Sequence, residues 1–391
     1  MGMSTSSLRI VVTGLMAQYP LGGMTWHYLQ YVLGLLRLGH DVYYLEDTGD
    51  AVYSPAAGGS TIRDCIFNVE YLARVMARFG LADRWAYRFA AGAAWYGLAE
   101  SERTAVIGSA DLLLNISGSL PSADEYRRIP RLVFIDTDPV FNQIKLSRGN
   151  EQFRRQVDAH DVHFTFGERL QRTTGATGQC WLPTRQPVVL SEWRPARPRR
   201  QVFTTVMNWM AKARPKIAAD RAYGQKDVEF LRFLELPSRV APTVVELALN
   251  TGRGRQAPRE LLVERGWRVV DPEALGLDFE GYRDYVESSL AEWSVAKHGY
   301  VQDRPGWFSE RSACYLAAGR PVVVEDTGFG EALPVGEGIL AFNTLEEAVA
   351  AIRAVEADYA RHAKAARAIA EAYFDSDAVL ARLLEEVWRG D

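Results

Sequence analysis

The chain has 391 residues, a net charge of −4 at pH 7, 48% hydrophobic residues and 24% charged residues. This composition is typical of a globular protein with two or three domains, and it argues against a general nucleic-acid binder. The cysteines, Cys65, Cys180 and Cys314, are too far apart in sequence to indicate a disulfide framework or a zinc site. No apolar run has membrane-spanning length and the N-terminus lacks a signal-peptide layout, so we expect a cytoplasmic protein.

The first half opens with the element order of a Rossmann-like domain. An apolar strand at residues 8–13 precedes a loop with Gly22 and Gly23, an amphipathic helix at 25–38 and a second strand at 41–45. The loop lacks a full G-x-G-x-x-G, so the dinucleotide fingerprint is not met. Residues 60–100 are rich in aromatic residues and are predicted to be helical, with most of the aromatics in the core.

Polar residues follow the next predicted strands, at 111–116, 131–135 and 162–166. Asp136 and Asp138 come directly after the second of these strands, and Glu168 follows the third. Because parallel strands present their carboxyl ends at one edge of a sheet, we expect these groups at a ligand-binding edge.

A proline-rich stretch at 183–200 predicts a linker between two domains. After it the pattern starts again, with strands predicted at 201–207, 243–249, 267–270, 293–296 and 321–324, and helices at 225–235, 257–265, 280–288 and 309–318. Two long alanine-rich helices, at 345–356 and 358–390, end the chain. The predicted fold class is therefore α/β, with two Rossmann-like domains.

Residues 307–342 predict a binding site for an anion. Ser309 is a good N-cap, which leaves the first amides of the following helix without intrahelical partners and beside the guanidinium of Arg311. Gly319 ends this helix before an apolar strand. Replacing Arg311 with alanine is expected to weaken the binding of the anion and to leave the fold unchanged.

The segment that begins at Arg311, RSACYLAAGRPVV, resembles the donor-domain signature of GT-B glycosyltransferases. The position of Arg311 is similar to that in the branch related to spore-maturation proteins and to family 4. Cys314 stands where these families usually carry the glutamate that binds ribose. The resemblance is good over about the last hundred residues, whereas the first half matches only in its general plan.

The resemblance implies transfer of a sugar from a UDP-, TDP- or GDP-linked donor to a small-molecule or glycan acceptor, with no cofactor and no metal ion. It implies two Rossmann-like domains of GT-B type that face a central cleft, with an acceptor-side domain at 1–185, a donor domain at 200–365 and a C-terminal helix at 366–391 that crosses back. The candidate donor-binding residues are Lys212, Arg253, His298, Ser309, Arg311, Ser312, Phe329 and Gly330. The candidate acceptor-binding residues are Tyr19, Gly22, Gly23, His27 and Trp95.

An inverting transferase needs a base from the first domain, and the candidates by position are Asp136, Asp138, Glu168 and His27. We favour Asp138, because the strand-end sequence Asp-Thr-Asp-Pro holds a carboxylate rigidly at the cleft, while Asp136 can also serve as a turn cap. A retaining enzyme would not need this base. A nucleotide-sugar 2-epimerase and a non-catalytic nucleotide- or glycan-binding protein are the alternative functions.

Overall fold

A computed structural model of the protein describes residues 7–54, 59–89, 94–170, 177–210, 216–218, 221–250, 257–272 and 278–389. Within these ranges the strands are β1 (Arg9–Thr13), β2 (Asp41–Glu46), β3 (Val52–Ser54), β4 (Gly59–Thr61), β5 (Trp85–Phe89), β6 (Ala94–Gly97), β7 (Leu112–Ile116), β8 (Arg131–Asp136), β9 (Val162–Thr165), β10 (Trp181–Pro183), β11 (Val202–Asn208), β12 (Lys216–Ala218), β13 (Arg221–Tyr223), β14 (Val244–Asn250), β15 (Arg268–Val270), β16 (Ala291–Ser294), β17 (Val322–Glu325) and β18 (Ile339–Phe342).

The α-helices of the described ranges are α1 (Gly22–Arg37), α2 (Ile66–Arg78), α3 (Glu100–Ser109), α4 (Phe141–Ser147), α5 (Glu151–Asp158), α6 (Lys226–Phe230), α7 (Leu236–Val240), α8 (Arg259–Glu264), α9 (Phe279–Ser288), α10 (His298–Asp303), α11 (Glu310–Ala317), α12 (Leu345–Ala357), α13 (Tyr359–Tyr373) and α14 (Ser376–Val387). None of these helices is both long and apolar enough to cross a lipid bilayer.

Two sheets organise the described chain. The first has the strand order β10-β9-β8-β7-β1-β2-β5-β6, and the second has the order β15-β14-β11-β16-β17-β18. Neighbouring strands in both sheets are parallel except for the pair β5 and β6. Two further antiparallel pairs, β3 with β4 and β12 with β13, stand apart from the sheets. The predicted α/β class with two Rossmann-like units is confirmed.

Helices cover both faces of the first sheet at its central strand β1, which explains why this strand is an apolar run. Ile10 and Val12 of β1 lie in the core layer that also contains residues of α1 and α2. Val11, between them in sequence, packs in the opposite layer with Val106 of α3. All three strand residues are at most 1% exposed.

Helix α1 packs the two units against each other. It contacts α9 of the second unit and also α14, so the end of the chain lies against the first unit. Trp26 of α1 donates a hydrogen bond from Nε1 to the carbonyl oxygen of Phe279 (2.6 Å). Trp193, from the proline-rich stretch, is buried beside Trp26 with a ring-centroid distance of 5.1 Å. The stretch at 183–200 is therefore packed at Trp193 instead of extended into solvent there.

The structure corrects three predicted elements. Within the predicted helix over residues 60–100, the described helix is limited to α2. The later aromatics lie in β5 and β6, and the Trp-Ala-Tyr-Arg-Phe sequence of β5 is rich in the aromatic residues that strands favour. Gly22 and Gly23 do not form a loop but begin α1. The helix predicted at 358–390 is divided into α13 and α14 at Phe374 and Asp375.

Candidate active site

The carboxyl edges of the two sheets meet at an ion pair. Asp138 follows β8, and its Oδ1 accepts hydrogen bonds from Lys297 Nζ (2.6 Å) and from the hydroxyl of Tyr300, which both lie after β16. Burial would raise the pKa of Asp138, but the adjacent Lys297 ammonium lowers it below its usual value. A paired carboxylate with a low pKa is a weak base, so the geometry favours a role for Asp138 in joining the two units.

Asp136, the second candidate base, is fully buried at the end of β8. Its carboxylate accepts hydrogen bonds from Asn142 Nδ2 (2.6 Å), the Asp138 amide (3.0 Å), Gln143 Nε2 (3.0 Å) and Thr165 Oγ1 (3.1 Å). Burial raises its pKa above the usual value. With four donors from its own unit, this carboxylate fixes the loop after β8 and is poorly placed to reach an acceptor hydroxyl.

Glu168, the third candidate, is paired with Arg185. His27, the fourth, lies on α1 in a defined tautomer. Gln186 donates from Nε2 to the carbonyl oxygens of His27 (3.1 Å) and Pro187 (3.0 Å), so its Oε1 must accept the proton of His27 Nδ1 (2.7 Å). The unprotonated Nε2 lies 3.3 Å from Ser117 Oγ. Burial lowers the pKa of His27, so the ring is neutral with a lone pair on Nε2.

The remaining predicted acceptor residues separate into different environments. Gly23 lines the same cavity as His27, together with Tyr282 of α9. At Gly22 a Cβ atom would lie 2.2 Å from Tyr282 Cβ, so this glycine permits the close approach of the two units. Tyr19 is half-buried in the segment before α1. Trp95 lies on edge strand β6 and packs against the α3 layer, so the structure separates it from this cavity.

The start of α11 has the arrangement predicted for an anion site, with one change. Ser309 caps the helix by accepting a hydrogen bond from the Arg311 amide (3.3 Å), and the buried Ser312 Oγ has no partner among the described residues. Arg311, however, already pairs through Nε with Glu292 (2.6 Å) and donates from Nη1 to the Val206 carbonyl (3.0 Å). Its guanidinium is therefore part of the core as well as of the cleft wall.

A lysine that sequence reasoning missed faces the cleft. Lys226 lines a cavity of about 260 Å³ with Lys297 and Arg311, and no described residue gives it a hydrogen bond or an ion pair. Burial, together with the Arg311 charge, lowers the pKa of Lys226 to about 7. The sequence signal that could have identified Lys226 is its position as the first residue of α6. The helix dipole disfavours a cation at a helix N-terminus, so a lysine at this position is unusual. Lys212 and Arg253 lie outside the described residues.

The other predicted donor residues are less directly placed. His298 Nδ1 is 2.5 Å from Glu229 Oε1, within a buried acidic network that includes Glu325. Phe329 is buried against Phe308 at a centroid distance of 5.2 Å, and it borders the small cavity at Ser309 and Ser312. Gly330 is exposed on the surface.

A second cavity, of about 90 Å³, lies between the two units and adjoins the first. It is lined by Gly23, His27, Gln30, Val206, Tyr282, Glu310, Arg311 and Cys314. Gln30 Nε2 contacts Cys314 Sγ at 3.7 Å, and burial raises the pKa of this thiol, which therefore stays neutral. Cys314 is a weakly polar part of the wall and cannot replace a carboxylate.

No family model matches the sequence, and no curated protein matches it closely enough to be counted as a relative. Solved structures do share the fold. An alpha-glucosyltransferase in complex with UDP and a 13-mer DNA containing a HMU base has a TM-score of 0.61 and 11% identity over 98% of this chain and 100% of its own. Sucrose-phosphate synthase from Thermosynechococcus elongatus has a TM-score of 0.56 and 13% identity over 98% and 99%.

A glycosyltransferase from Rickettsia africae has a TM-score of 0.52 and 11% identity over 99% of this chain and 100% of its own. Identities this low establish the fold alone. The likeness extends over both units, and it confirms the GT-B fold that the sequence resemblance implied.

Proposed function

We propose that this protein is a glycosyltransferase that moves a sugar from a nucleotide-diphosphate donor to an acceptor hydroxyl. The observation that carries the proposal is the cavity at the carboxyl edge of the second sheet, which collects Lys226, Lys297 and Arg311 beside the first turn of α11. Lys226 has no ion-pair partner among the described residues, while Lys297 and Arg311 add positive charge although each is also paired within the protein. Positive charge and helix amides at one place suit a diphosphate. In the GT-B fold this edge faces the cleft between the two units.

The chemistry requires charge stabilisation on the donor side of the cleft. When the bond between the sugar and the diphosphate breaks, negative charge develops on the leaving phosphate oxygen. Lys226 and the α11 amides line the cavity where that charge would develop. They are in place before the reaction begins, so they can stabilise the charge without rearranging.

On the opposite side, His27 is the group that can bind the acceptor hydroxyl. His27 lines the cavity shared by the two units, and its Nε2 lone pair, which is 3.3 Å from Ser117 Oγ, would have to exchange this contact for one with the acceptor hydroxyl. In an inverting reaction this nitrogen would take the hydroxyl proton as the new glycosidic bond forms. In a retaining reaction it would only orient the hydroxyl. We assign the role of base, where one is needed, to His27 in place of Asp138.

We further propose the finer assignments that follow from the sequence. The chain is placed in the branch similar to spore-maturation proteins and family 4, with a UDP-, TDP- or GDP-linked donor, a small-molecule or glycan acceptor and a cytoplasmic location. The acceptor-side unit is placed at 1–185, the donor unit at 200–365 and the returning tail at 366–391. The packing of α14 on α1 supports this division.

Titration calorimetry with UDP, TDP, GDP and ADP tests the proposal. At least one nucleotide should bind to the wild type, and Lys226→Met should weaken that binding by about tenfold or more. Lys364→Met, which removes an exposed lysine on α13, is the matched control and should bind normally. Product analysis with the corresponding nucleotide sugars then separates transfer from epimerisation and from binding alone. Failure of all four nucleotides to bind, or equal binding by Lys226→Met, would contradict the proposal.

A further inference from the structure

Ser117 has a backbone conformation that serine rarely adopts. It follows β7 with a φ of 61°, and the next residue, Gly118, has a φ of 64°. This left-handed region strains a serine but not a glycine. Among the described non-glycine residues, the other positive φ angles occur at Val140 and Arg304, and Val140 lies in the loop after the neighbouring strand β8. Backbone strain of this kind concentrates at functional sites.

Hydrogen bonds of the backbone hold this turn in place. The Ser117 amide donates to the carbonyl oxygen of Ile135 in β8 (2.9 Å), and Gln156 Nε2 donates to the carbonyl oxygen of Gly118 (2.7 Å). Neither bond uses the Ser117 side chain, so a glycine at this position would keep the turn and remove the strain. What the serine adds over a glycine is its hydroxyl group.

The Ser117 hydroxyl lies between two partners at the cleft. Its Oγ is 2.7 Å from Thr137 Oγ1, in the loop after β8, and 3.3 Å from His27 Nε2 on α1. Ser117 and Thr137 are both half-buried. Because Gln186 holds the ring proton of His27 on Nδ1, the Nε2 lone pair can accept from Ser117. Thr137 Oγ1 is the alternative acceptor, so the single hydroxyl proton of Ser117 can point to either partner.

Ser119, two residues later in the same turn, has a hydroxyl with a different environment. It is buried, and its Oγ lies 2.8 Å from Thr13 Oγ1 and 3.4 Å from Asn115 Oδ1. Both partners are buried residues of strands β1 and β7, so this hydroxyl stabilises the sheet. The hydroxyl of Ser117 instead reaches His27, which lines the cavity between the two units.

We propose that Ser117 is a positioning residue that matches its hydroxyl dipole to the charge on His27 during transfer, an inference that rests on the proposed function with His27 as the base. When the acceptor hydroxyl donates to Nε2, the Ser117 proton turns to Thr137. This exchange costs little, because Ser117 has a hydrogen-bond partner in both arrangements. After it, the negative end of the Ser117 hydroxyl faces the imidazole ring.

The transfer step then creates positive charge beside that oxygen. The acceptor oxygen forms a bond to the anomeric carbon of the sugar while its proton passes to His27 Nε2. The bond from the same carbon to the diphosphate breaks, and its electron pair stays on the phosphate oxygen. The imidazolium that forms is stabilised by the Ser117 oxygen, which is in place before the proton moves.

The test removes the hydroxyl in two ways. Ser117→Ala keeps the backbone strain and Ser117→Gly relieves it, so the glycine variant should have the higher melting temperature. Initial rates are measured with UDP-, TDP- and GDP-glucose as donors, and methyl α-glucoside, glycerol and water supply the acceptor hydroxyl. Both variants should lower kcat by about tenfold and leave the donor KM unchanged, because the hydroxyl acts on a charge that develops during the reaction.

Ser119→Ala is the matched control. It loses a buried hydroxyl of the same turn, so its melting temperature should fall while its kcat stays close to that of the wild type. NMR spectra of the histidine ring nitrogens give a readout that needs no substrate. The Nε2 resonance of His27 should move in Ser117→Ala and not in Ser119→Ala, whereas the Nδ1 resonance, which Gln186 holds, should stay in place in both.

The inference is overturned if Ser117→Gly transfers sugar as fast as the wild type, because the residue would then act only through its backbone. It is also overturned if the Nε2 resonance of His27 is the same in the wild type and in Ser117→Ala. In both cases transfer by the wild type would leave the proposed function standing. Absence of transfer and of nucleotide binding in the wild type would instead remove the proposed function, and with it the role of Ser117 in the reaction.

Discussion

The two sides of the cleft differ in how their polar groups are satisfied. On the side of the first sheet, Asp136 has four hydrogen-bond donors and Asp138 is paired with Lys297. On the side of the second sheet, Lys226 and Glu310 have no partner among the described residues. Buried polar groups are normally paired, and exceptions concentrate where a ligand completes them. The polar groups of the first side are thus satisfied within the protein, whereas the second side keeps two charged groups that a bound ligand would pair.

The largest expected effect comes from Arg311, which both pairs with a buried carboxylate and lines the cleft. Arg311→Met leaves Glu292 buried and unpaired, so the free energy of unfolding should fall by about 3–5 kcal/mol. This result would contradict the sequence-based expectation that the fold is unchanged. Urea denaturation measures it, and Arg37→Met, which breaks the exposed pair with Asp377, should cost no more than about 1 kcal/mol. Equal stability of the two variants would show that the Arg311 pair is not structural.

The second prediction concerns the pH dependence of donor binding. The pKa of Lys226 is lowered to about 7, so the free side chain loses its proton as the pH rises above neutrality. A diphosphate favours the protonated form, and binding therefore takes up a proton. The affinity for UDP should fall by about tenfold between about pH 6 and about pH 8. Calorimetry in buffers of different ionisation enthalpy measures both the affinity for UDP and the number of protons taken up on binding.

Lys226→Met is the reference for this experiment, because it retains the ionisation of the phosphate itself but loses that of the lysine. Its affinity should vary less with pH than that of the wild type. A pH profile identical to the wild type would assign the titration to another group.

A smaller effect is expected for Asp138→Asn, which tests whether the first side of the cleft supplies the base. Removal of a general base typically lowers kcat by 10²–10⁴-fold, by order of magnitude. Loss of a partly exposed ion pair with Lys297 should instead lower stability by about 1 kcal/mol and kcat by less than about tenfold. Steady-state kinetics with thermal unfolding separate the two results. A fall in kcat of about a thousandfold with normal stability would restore Asp138 as the base.

The smallest effect is expected at Trp95, which the sequence placed in the acceptor site. Its ring lies under the Arg103 guanidinium at 4.1 Å, on an edge strand in the α3 layer. Trp95→Ala should reduce stability modestly, by about 1 kcal/mol, and should leave the KM for the acceptor unchanged. A raised acceptor KM in a variant of nearly normal stability would return this residue to the site.

The sequence by itself determined the fold class and the start of α11. Strands such as β1 and β8 are covered on both faces, so they are continuous apolar runs that can be recognised without tertiary information. The Ser309 cap depends on the backbone of its own helix and was correctly predicted for the same reason.

Tertiary structure decided what the polar residues do. Arg311 pairs with Glu292, and Asp138 pairs with Lys297 across 159 positions of the chain, so no local pattern contains these partners. Gly22 was expected to form a loop, but it begins a helix, and its lack of a side chain leaves room for Tyr282 of the second unit. Local sequence specifies a backbone and its caps. Only the packed structure determines which charges neutralise each other and which, such as Lys226 and Glu310, remain to bind a ligand.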